Sequence, residues 1–217
     1  MKHIHKLQEP PGLATWRREN ITNPAEPPDW DDFEAGIRRV VKDALFAEQG
    51  HLCCYCGRGI VDGDSHIEHL APRETHRPRT YDFDNLLACC QQNLLKKDPR
   101  HCGVKKDKWY DATLLVSPLD PACEVRFRYE IDGHIHPASV PDLGAEETIV
   151  RLALDCAKLV NLRNGAIDGL LEGLDEEALT PEEGEALVRD YESRDAEGKF
   201  KPFSFVLAAV VRAYVVG

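Results

Sequence analysis

The chain has 217 residues, of which 42% are apolar, and its formal net charge is −11. This apolar fraction is sufficient for a folded core, no apolar run is long enough to span a bilayer, and the acidic balance excludes a protein that binds nucleic acid through its overall charge alone. The first residues contain no apolar stretch of the kind found in secretory signals, so we expect a cytoplasmic protein without a membrane segment.

The N-terminal part, residues 1–50, is predicted to be an arm followed by a helix. Residues 1–32 are rich in proline and favour an extended, irregular arm. Apolar residues follow helical spacing from Phe33 to Gln49, and Gly50 comes directly after them. Because glycine readily adopts the left-handed conformation that ends helices, the helix is predicted to stop there.

The central segment, residues 51–110, is punctuated by glycine and proline and is predicted to combine strands and helix. Turn-forming residues between Cys53 and Leu70 favour a β-hairpin. A basic loop follows, and the apolar run that begins at Asn85 predicts a short helix to about Lys97. The whole chain is therefore expected to have an α+β fold.

The C-terminal region, residues 111–217, is predicted to be mostly helical, to pack on the central segment and to bind a partner. A hairpin with an Asp-Gly turn is expected over 126–136. Amphipathic spacing predicts a helix over 146–164, a proline at a first helical turn predicts another over 181–194, and an apolar run predicts a buried final helix over 203–216.

Six of the eight cysteines lie between Cys53 and Cys102. In a reducing compartment such a cluster favours a metal site over disulfides. Cys53 and Cys56 form a C-x-x-C pair, which can direct two thiolates at one ion, and a second pair must come from Cys89, Cys90 and Cys102. We expect a structural zinc ion, because the segment is too short and polar to be held by hydrophobic burial alone.

The run His66-Ile67-Glu68-His69 is predicted to be the end of a strand that enters a loop. Strand alternation places His66 and Glu68 on one side, and a break after His69 would let Glu68 and His69 reach the same site. A carboxylate can hold a hard divalent cation, and a neutral imidazole can take a proton from water. Asn85 is expected to hold that imidazole through its side-chain carbonyl.

These motifs resemble the HNH (ββα-metal) endonuclease superfamily, and most closely the HNH proteins of Septu-type and retron-associated antiphage systems. The segments that carry the resemblance are Cys53–Cys56, His66–Arg73, Tyr81–Leu87, Cys90, Cys102–Lys106, Ser117–Pro121, Thr148–Ile149 and Leu159 with Arg163. The resemblance implies a zinc-stapled ββα-metal core at 51–110, with mostly α-helical elaborations before and after it.

The resemblance also implies roles for single residues. His69 would be the general base, Glu68 a ligand of the catalytic divalent ion, and Asn85 the asparagine of the motif. The implied zinc ligands are Cys53, Cys56, Cys90 and Cys102, with Cys89 as the alternative to Cys90. The implied cofactors are therefore a structural Zn²⁺ and a catalytic Mg²⁺ or Mn²⁺.

The sequence departs from the family pattern just after the last cysteine of the cluster. Related sequences usually carry an Asn or His there as a second ligand of the catalytic ion, whereas this chain has Gly103 and Val104. His101 is a candidate substitute. The departure leaves open an alternative function, a zinc-stapled and catalytically weak subunit that binds nucleic acid or protein.

The expected substrate is DNA, cleaved at its phosphodiester bonds. Residues 70–110 contain nine Lys and Arg against five Asp and Glu, whereas residues 140–217 contain eight against sixteen. The candidate contacts to the DNA backbone are Arg73, Arg77, Arg79, Lys96, Lys97, Lys105 and Lys106. The family resemblance further implies an ATPase partner and a role as effector in an antiphage defence complex, and the acidic C-terminal region is consistent with a protein partner.

Overall fold

The computed structural model describes residues 1–174 and 180–213, which form a mixed α-helical and β-stranded fold. The helices are α1 (Pro11–Asn20), α2 (Ala35–Gln49), α3 (Cys102–Lys106), α4 (Leu143–Arg151), α5 (Ala157–Glu172), α6 (Pro181–Glu192) and α7 (Ser204–Val211). The strands are β1 (Ser65–His69), β2 (Leu86–Cys90), β3 (Phe127–Tyr129) and β4 (Ile135–Pro137). Two antiparallel pairs result, β1 with β2 and β3 with β4, so the predicted α+β class is confirmed.

Over the residues that the structure describes, none of the helices is both long and apolar enough to cross a membrane.

The N-terminal arm is only partly irregular, because α1 interrupts it. Pro11 occupies the first turn of this helix, where its missing N–H costs nothing and its fixed φ suits the helix. Leu13 and Trp16 bury its inner face. The prediction of an extended arm is therefore wrong over 11–20. The predicted helix that follows is confirmed as α2, which ends at Gly50 in the left-handed conformation, at φ 56°.

The central strands differ from the prediction. The expected hairpin between Cys53 and Leu70 is wrong, since β1 pairs with β2, which lies beyond the basic loop. The expected helix from Asn85 is also wrong, because this run forms β2 and then an irregular loop. All five residues of β2 are buried. A strand buried on both faces reads as a continuous apolar run, which periodicity cannot distinguish from a buried helix.

The central strand pair is tied to α2 through the side chain of Gln49. The amide nitrogen of Gln49 donates hydrogen bonds to the carbonyls of Leu52 and Ala88, each at 2.8 Å. The side-chain oxygen accepts from the Ala88 N–H at 2.7 Å. Helix α3 follows β2 along the chain and packs against it. The order β1, β2, α3 therefore forms one unit that rests on the end of α2.

The helix predicted over 146–164 is divided into α4 and α5 by a break at residues 152–156. Ala153 has a positive φ of 48°, which no helix interior allows. The break exposes the carbonyl of Leu152, which accepts a hydrogen bond of 2.8 Å from the N–H of Cys102. Arg163, on α5, donates to the carbonyl of Leu154 at 3.0 Å. The interruption therefore connects the C-terminal helices to the start of α3.

The remaining C-terminal elements follow the sequence closely. The predicted hairpin is confirmed as β3 and β4. The helix predicted from Pro181 is confirmed as α6, and Thr180 and Glu183 form a reciprocal capping box at its start. The final helix is confirmed as α7, while residues 214–216 of that prediction lie outside the described residues.

Helix α7 packs against the loop that carries the C-x-x-C pair. The N–H of Phe203 donates to the carbonyl of Gly57 at 2.8 Å. Gly57 has a φ of +74°, and a Cβ at this position would overlap the ring of Phe205. The glycine is thus required twice, by its backbone conformation and by the close approach of α7.

We expect Gln49→Ala to loosen the central unit from α2. The substitution removes three buried hydrogen bonds of roughly 1 kcal/mol each, so the melting temperature should fall by roughly 6–12 °C for a chain of this size. Differential scanning calorimetry of both proteins at equal zinc concentration measures the change. Gln8→Ala, at an exposed position, is the matched control. An equal melting temperature for Gln49→Ala and the control would contradict this role.

Candidate active site and metal centre

Four cysteines from three segments meet in one buried cluster. The Sγ atoms of Cys53, Cys56, Cys90 and Cys102 all lie within 4.8 Å of one another. Those of Cys56 and Cys90 are 3.9 Å apart. The sulfur atoms of a tetrahedral zinc site, with bonds of about 2.3 Å, lie about 3.8 Å apart. The cluster therefore fits a structural metal ion such as zinc.

A second group of buried thiols lies beside the first and shares one member with it. It consists of Cys53, Cys54 and Cys89. The Sγ of Cys89 lies 3.8 Å from that of Cys53 and accepts a hydrogen bond of 3.3 Å from the N–H of Gly103. The four-thiol group contains Cys90 and not Cys89. Cys54 was absent from the sequence-based candidates, and its only sequence signal is its place inside the C-x-x-C pair.

His101 lies on the cysteine side of α3. Its Nδ1 is 3.1 Å from the Sγ of Cys102 and 3.9 Å from that of Cys90. The side chain is fully buried, and this burial lowers the pKa of His101 to about 4. It is not among the residues that line the cleft around Glu68. The expectation that His101 supplies a ligand for the catalytic ion is therefore wrong, because its imidazole lies against the cysteine cluster.

Glu68 is held by contacts to each of its two oxygens. Oε1 lies 3.0 Å from the Nζ of Lys106 and accepts a hydrogen bond of 3.2 Å from the hydroxyl of Tyr55. Oε2 lies 3.5 Å from the Nε2 of His66. Burial alone would raise the pKa of Glu68, but its contact with His66 and the charge of Lys106 outweigh burial and hold that pKa below its usual value. The carboxylate is therefore charged and oriented.

Lys106 is an internal residue of the site. Only 2% of it is exposed, and its ammonium donates to the carbonyls of His69 and Leu70, at 3.1 and 3.3 Å. Its expected contact with DNA is therefore wrong, because a buried ammonium engaged by Glu68 and two carbonyls cannot reach a phosphate. The sequence signal that was missed is helical spacing, which places Lys106 one turn after Gly103 on α3.

His69 is fixed in one tautomer. Its Nε2 lies 2.9 Å from the carbonyl of Thr80. Since a carbonyl can only accept, Nε2 carries the proton and Nδ1 has a free lone pair. The ring packs edge-on against Trp30, with centroids 4.5 Å apart. Burial lowers the pKa of His69 to about 4, against the opposing effect of the Thr80 hydrogen bond, so the imidazole is neutral at neutral pH.

Asn85 holds the basic loop and does not contact the imidazole. Its side-chain carbonyl accepts from the N–H of Ala71 at 2.8 Å, and its amide donates to the carbonyls of Ala71 and Arg79, each at 3.0 Å. The expected hydrogen bond to His69 is wrong, because both ends of the amide are engaged by the backbone. Asn85 thereby holds both ends of the basic loop, at Ala71 and Arg79. Thr80 follows this loop directly and orients His69.

The two catalytic candidates share one cleft, which has a volume of about 200 Å³. Its lining residues are Trp30, His66, Ile67, Glu68, His69, Pro72, Arg73, Glu74, Gly103 and Asp107. The structure thus brings together Glu68 and His69, the predicted pair on β1. His66 of the same strand and Gly103, at the start of α3, lie beside them.

The remaining basic candidates differ in exposure and in their contacts. Arg77 and Arg79 form partly exposed ion pairs, with Asp29 at 3.4 Å and Asp82 at 3.7 Å. Three lysines are exposed, namely Lys96, Lys97 and Lys105. Arg73 lines the cleft itself and lies over the ring of Trp30.

No protein-family model matches the chain. Among curated proteins, the chain is 30% identical over 110 residues to a Vibrio cholerae (serotype O1 biovar El Tor) protein described as "Retron Vc95 putative HNH endonuclease". The aligned region is 49% of this chain and 50% of that protein. The chain therefore matches about half the length of this relative. The identity over that half supports the resemblance to HNH proteins.

We expect the purified chain to contain one tightly held zinc ion. Cys102→Ser should lower the zinc content well below one per chain and reduce thermal stability, because the thiolate set is then incomplete. Cys89→Ser should retain the zinc. Elemental analysis by inductively coupled plasma mass spectrometry, combined with thermal melts, measures both effects.

The matched control is Cys156→Ser, whose half-buried thiol lies outside both groups of cysteines. Full zinc in Cys102→Ser, or an equal loss in Cys156→Ser, would show that the cluster does not hold the ion.

Proposed function

We propose that the chain is a divalent-metal-dependent HNH endonuclease that hydrolyses phosphodiester bonds of DNA. The observation that carries the proposal is the pair Glu68 and His69, whose side chains line one cleft at the end of β1. The succession β1, β2, α3 beside a four-cysteine cluster is the arrangement expected of a ββα-metal core. The name of the Vibrio cholerae relative supports the same reaction class.

His69 is the proposed general base. Its neutral ring offers Nδ1 as a proton acceptor, because Nε2 is occupied by the Thr80 carbonyl. Among the described residues, nothing hydrogen-bonds to Nδ1. A water molecule in the cleft can therefore give its proton to Nδ1 as it attacks the phosphorus. The edge-on contact between the rings of Trp30 and His69, together with the Thr80 hydrogen bond, limits rotation of the imidazole.

Glu68 is the proposed protein ligand for the divalent ion. Two donors occupy Oε1, while Oε2 faces the cleft beside Gly103. Such a fixed carboxylate fits Mg²⁺ or Mn²⁺, which prefer oxygen ligands. When bound, the ion neutralises charge on the phosphate and the departing oxygen. Asn85 acts as a positioning residue through the loop that presents Thr80 to His69.

Exposed cations are the proposed contacts to the DNA backbone. They are Arg73, Arg77, Arg79, Lys96, Lys97 and Lys105. Each is near the strands or loops that form the cleft in sequence, and none of them is buried. Residues 70–110 carry an excess of positive charge in an acidic chain, which would favour binding of DNA by this segment over binding elsewhere on the molecule.

A second candidate function is a zinc-stapled subunit that binds DNA or protein and cleaves weakly. The observation that favours it is Gly103, which has no side chain to supply the ligand that related sequences carry near this position. Val104 cannot supply one either. In that case the purified chain would bind DNA or protein but cut DNA only weakly at any divalent metal concentration.

The proposal extends to a defence complex with an ATPase partner, in which this chain is the effector. Its support is the family resemblance and the retron named in the description of the relative. The test is whether the chain, expressed in its native host, co-purifies with an ATPase subunit. Recovery of the chain alone, under conditions that preserve the fold, would contradict the partnership.

We expect His69→Ala to reduce nicking of supercoiled plasmid by about 100-fold or more, since a general base contributes that much to hydrolysis. The assay uses zinc-loaded protein with Mg²⁺ or Mn²⁺ and resolves the open-circular product on agarose. His136→Ala, an exposed histidine on β4, is the control and should cut like the parent protein. Equal nicking by His69→Ala and the parent would overturn the assignment of His69.

A further inference from the structure

His66 lies on the same face of β1 as Glu68, at the cleft. Its Nε2 is 3.5 Å from the free oxygen of Glu68, and its side chain is 21% exposed. The sequence-based site did not include it, because only His69 of the two histidines in the run was assigned a chemical role. The pair His66 and Glu68 presents one imidazole nitrogen and one carboxylate oxygen to the same small volume.

Gly103 closes this volume from the side of α3. A Cβ built at this position would lie 2.8 Å from the carboxylate carbon of Glu68 and 3.0 Å from the Nε2 of His66. No residue with a side chain therefore fits there without displacing the pair. Because Gly103 has no side chain, Glu68 and His66 can lie next to each other at this point.

Lys106 and Tyr55 fix the orientation of the carboxylate. Both contact Oε1 of Glu68, so Oε2 is the oxygen directed at His66. Two neighbouring ligands of an octahedral ion, each about 2.1 Å from it, lie about 3 Å apart. The 3.5 Å between Oε2 and Nε2 is close to that separation.

We propose that His66 is the second protein ligand of the catalytic divalent ion, and that it replaces the ligand which α3 lacks at Gly103. The ion is then held by Oε2 of Glu68 and Nε2 of His66, with water and substrate oxygens in the remaining positions. Carboxylate and water oxygens suit both Mg²⁺ and Mn²⁺, whereas an imidazole ligand is accepted more readily by a transition ion than by Mg²⁺, so Mn²⁺ is the ion used in the test. The inference rests on the proposed function, since it completes the same site.

The test is Mn²⁺ binding to the zinc-loaded full chain, followed by electron paramagnetic resonance. The parent protein should bind one Mn²⁺, and pulsed spectra should show coupling to an imidazole nitrogen. His66→Ala should lose this coupling and weaken Mn²⁺ binding by tenfold or more. His66→Gln serves as the second variant if the first does not fold, and His69→Ala should retain the coupling.

Gly103→Ala tests independently whether the space beside Glu68 and His66 must stay free of a side chain. Its methyl group would press on Glu68 and His66, so Mn²⁺ binding should weaken by tenfold or more while zinc content stays at the parent level. Gly165→Ala is the matched control, because a Cβ at that exposed helical position meets no neighbouring atom within 4 Å. It should bind Mn²⁺ like the parent protein.

Three results would overturn the inference: no Mn²⁺ binding at millimolar concentration, no nitrogen coupling in the parent, or coupling that survives in both His66 variants. The plasmid assay separates this failure from failure of the proposed function. Nicking that depends on His69 but not on His66 would support the proposed endonuclease function and contradict the role of His66 as a metal ligand. Coupling from His66 in a protein that never nicks DNA would support the metal site and contradict the endonuclease function.

Discussion

The cysteine cluster is the constraint on which the rest of the central unit depends. It joins the C-x-x-C loop, the end of β2 through Cys90 and the start of α3 through Cys102. A helix of five residues is too short to be stable by itself, so its position is set by what holds its ends. Cys102 is fixed twice, by the cluster and by the carbonyl of Leu152. The next residue, Gly103, is thereby placed against Glu68.

Much of the fold could be predicted from local patterns, and the failures have a common physical origin. The helix α2 and the β3–β4 hairpin follow from spacing and turn residues that lie within the element itself. The strand β2 could not be recognised because both of its faces are buried. The break at Ala153 could not be predicted either, since the exposed carbonyl of the neighbouring Leu152 is satisfied by the N–H of Cys102, which is distant in the sequence.

The candidate site was likewise predictable from the sequence only in part. Glu68 and His69 could be proposed from the sequence because they are adjacent and of the required chemical types. His101 and Lys106 were both assigned to the wrong surroundings, because the direction in which α3 presents each residue depends on how the cluster orients the helix. Asn85 does not line the cleft and holds the basic loop instead, because its partners are backbone groups, which a sequence does not reveal.

The buried pair of Glu68 and Lys106 constrains how such a chain can change by mutation. Loss of Lys106 alone would leave the buried carboxylate of Glu68 without its cation, at a cost of about 3–5 kcal/mol. Loss of Glu68 alone would leave the buried ammonium with its two carbonyl acceptors but no opposite charge. A side chain added at Gly103 would displace both Glu68 and His66. A substitution at one of Glu68, Lys106, Gly103 and His66 is therefore tolerated only with compensating substitutions at the others. Homologues should show these positions substituted together.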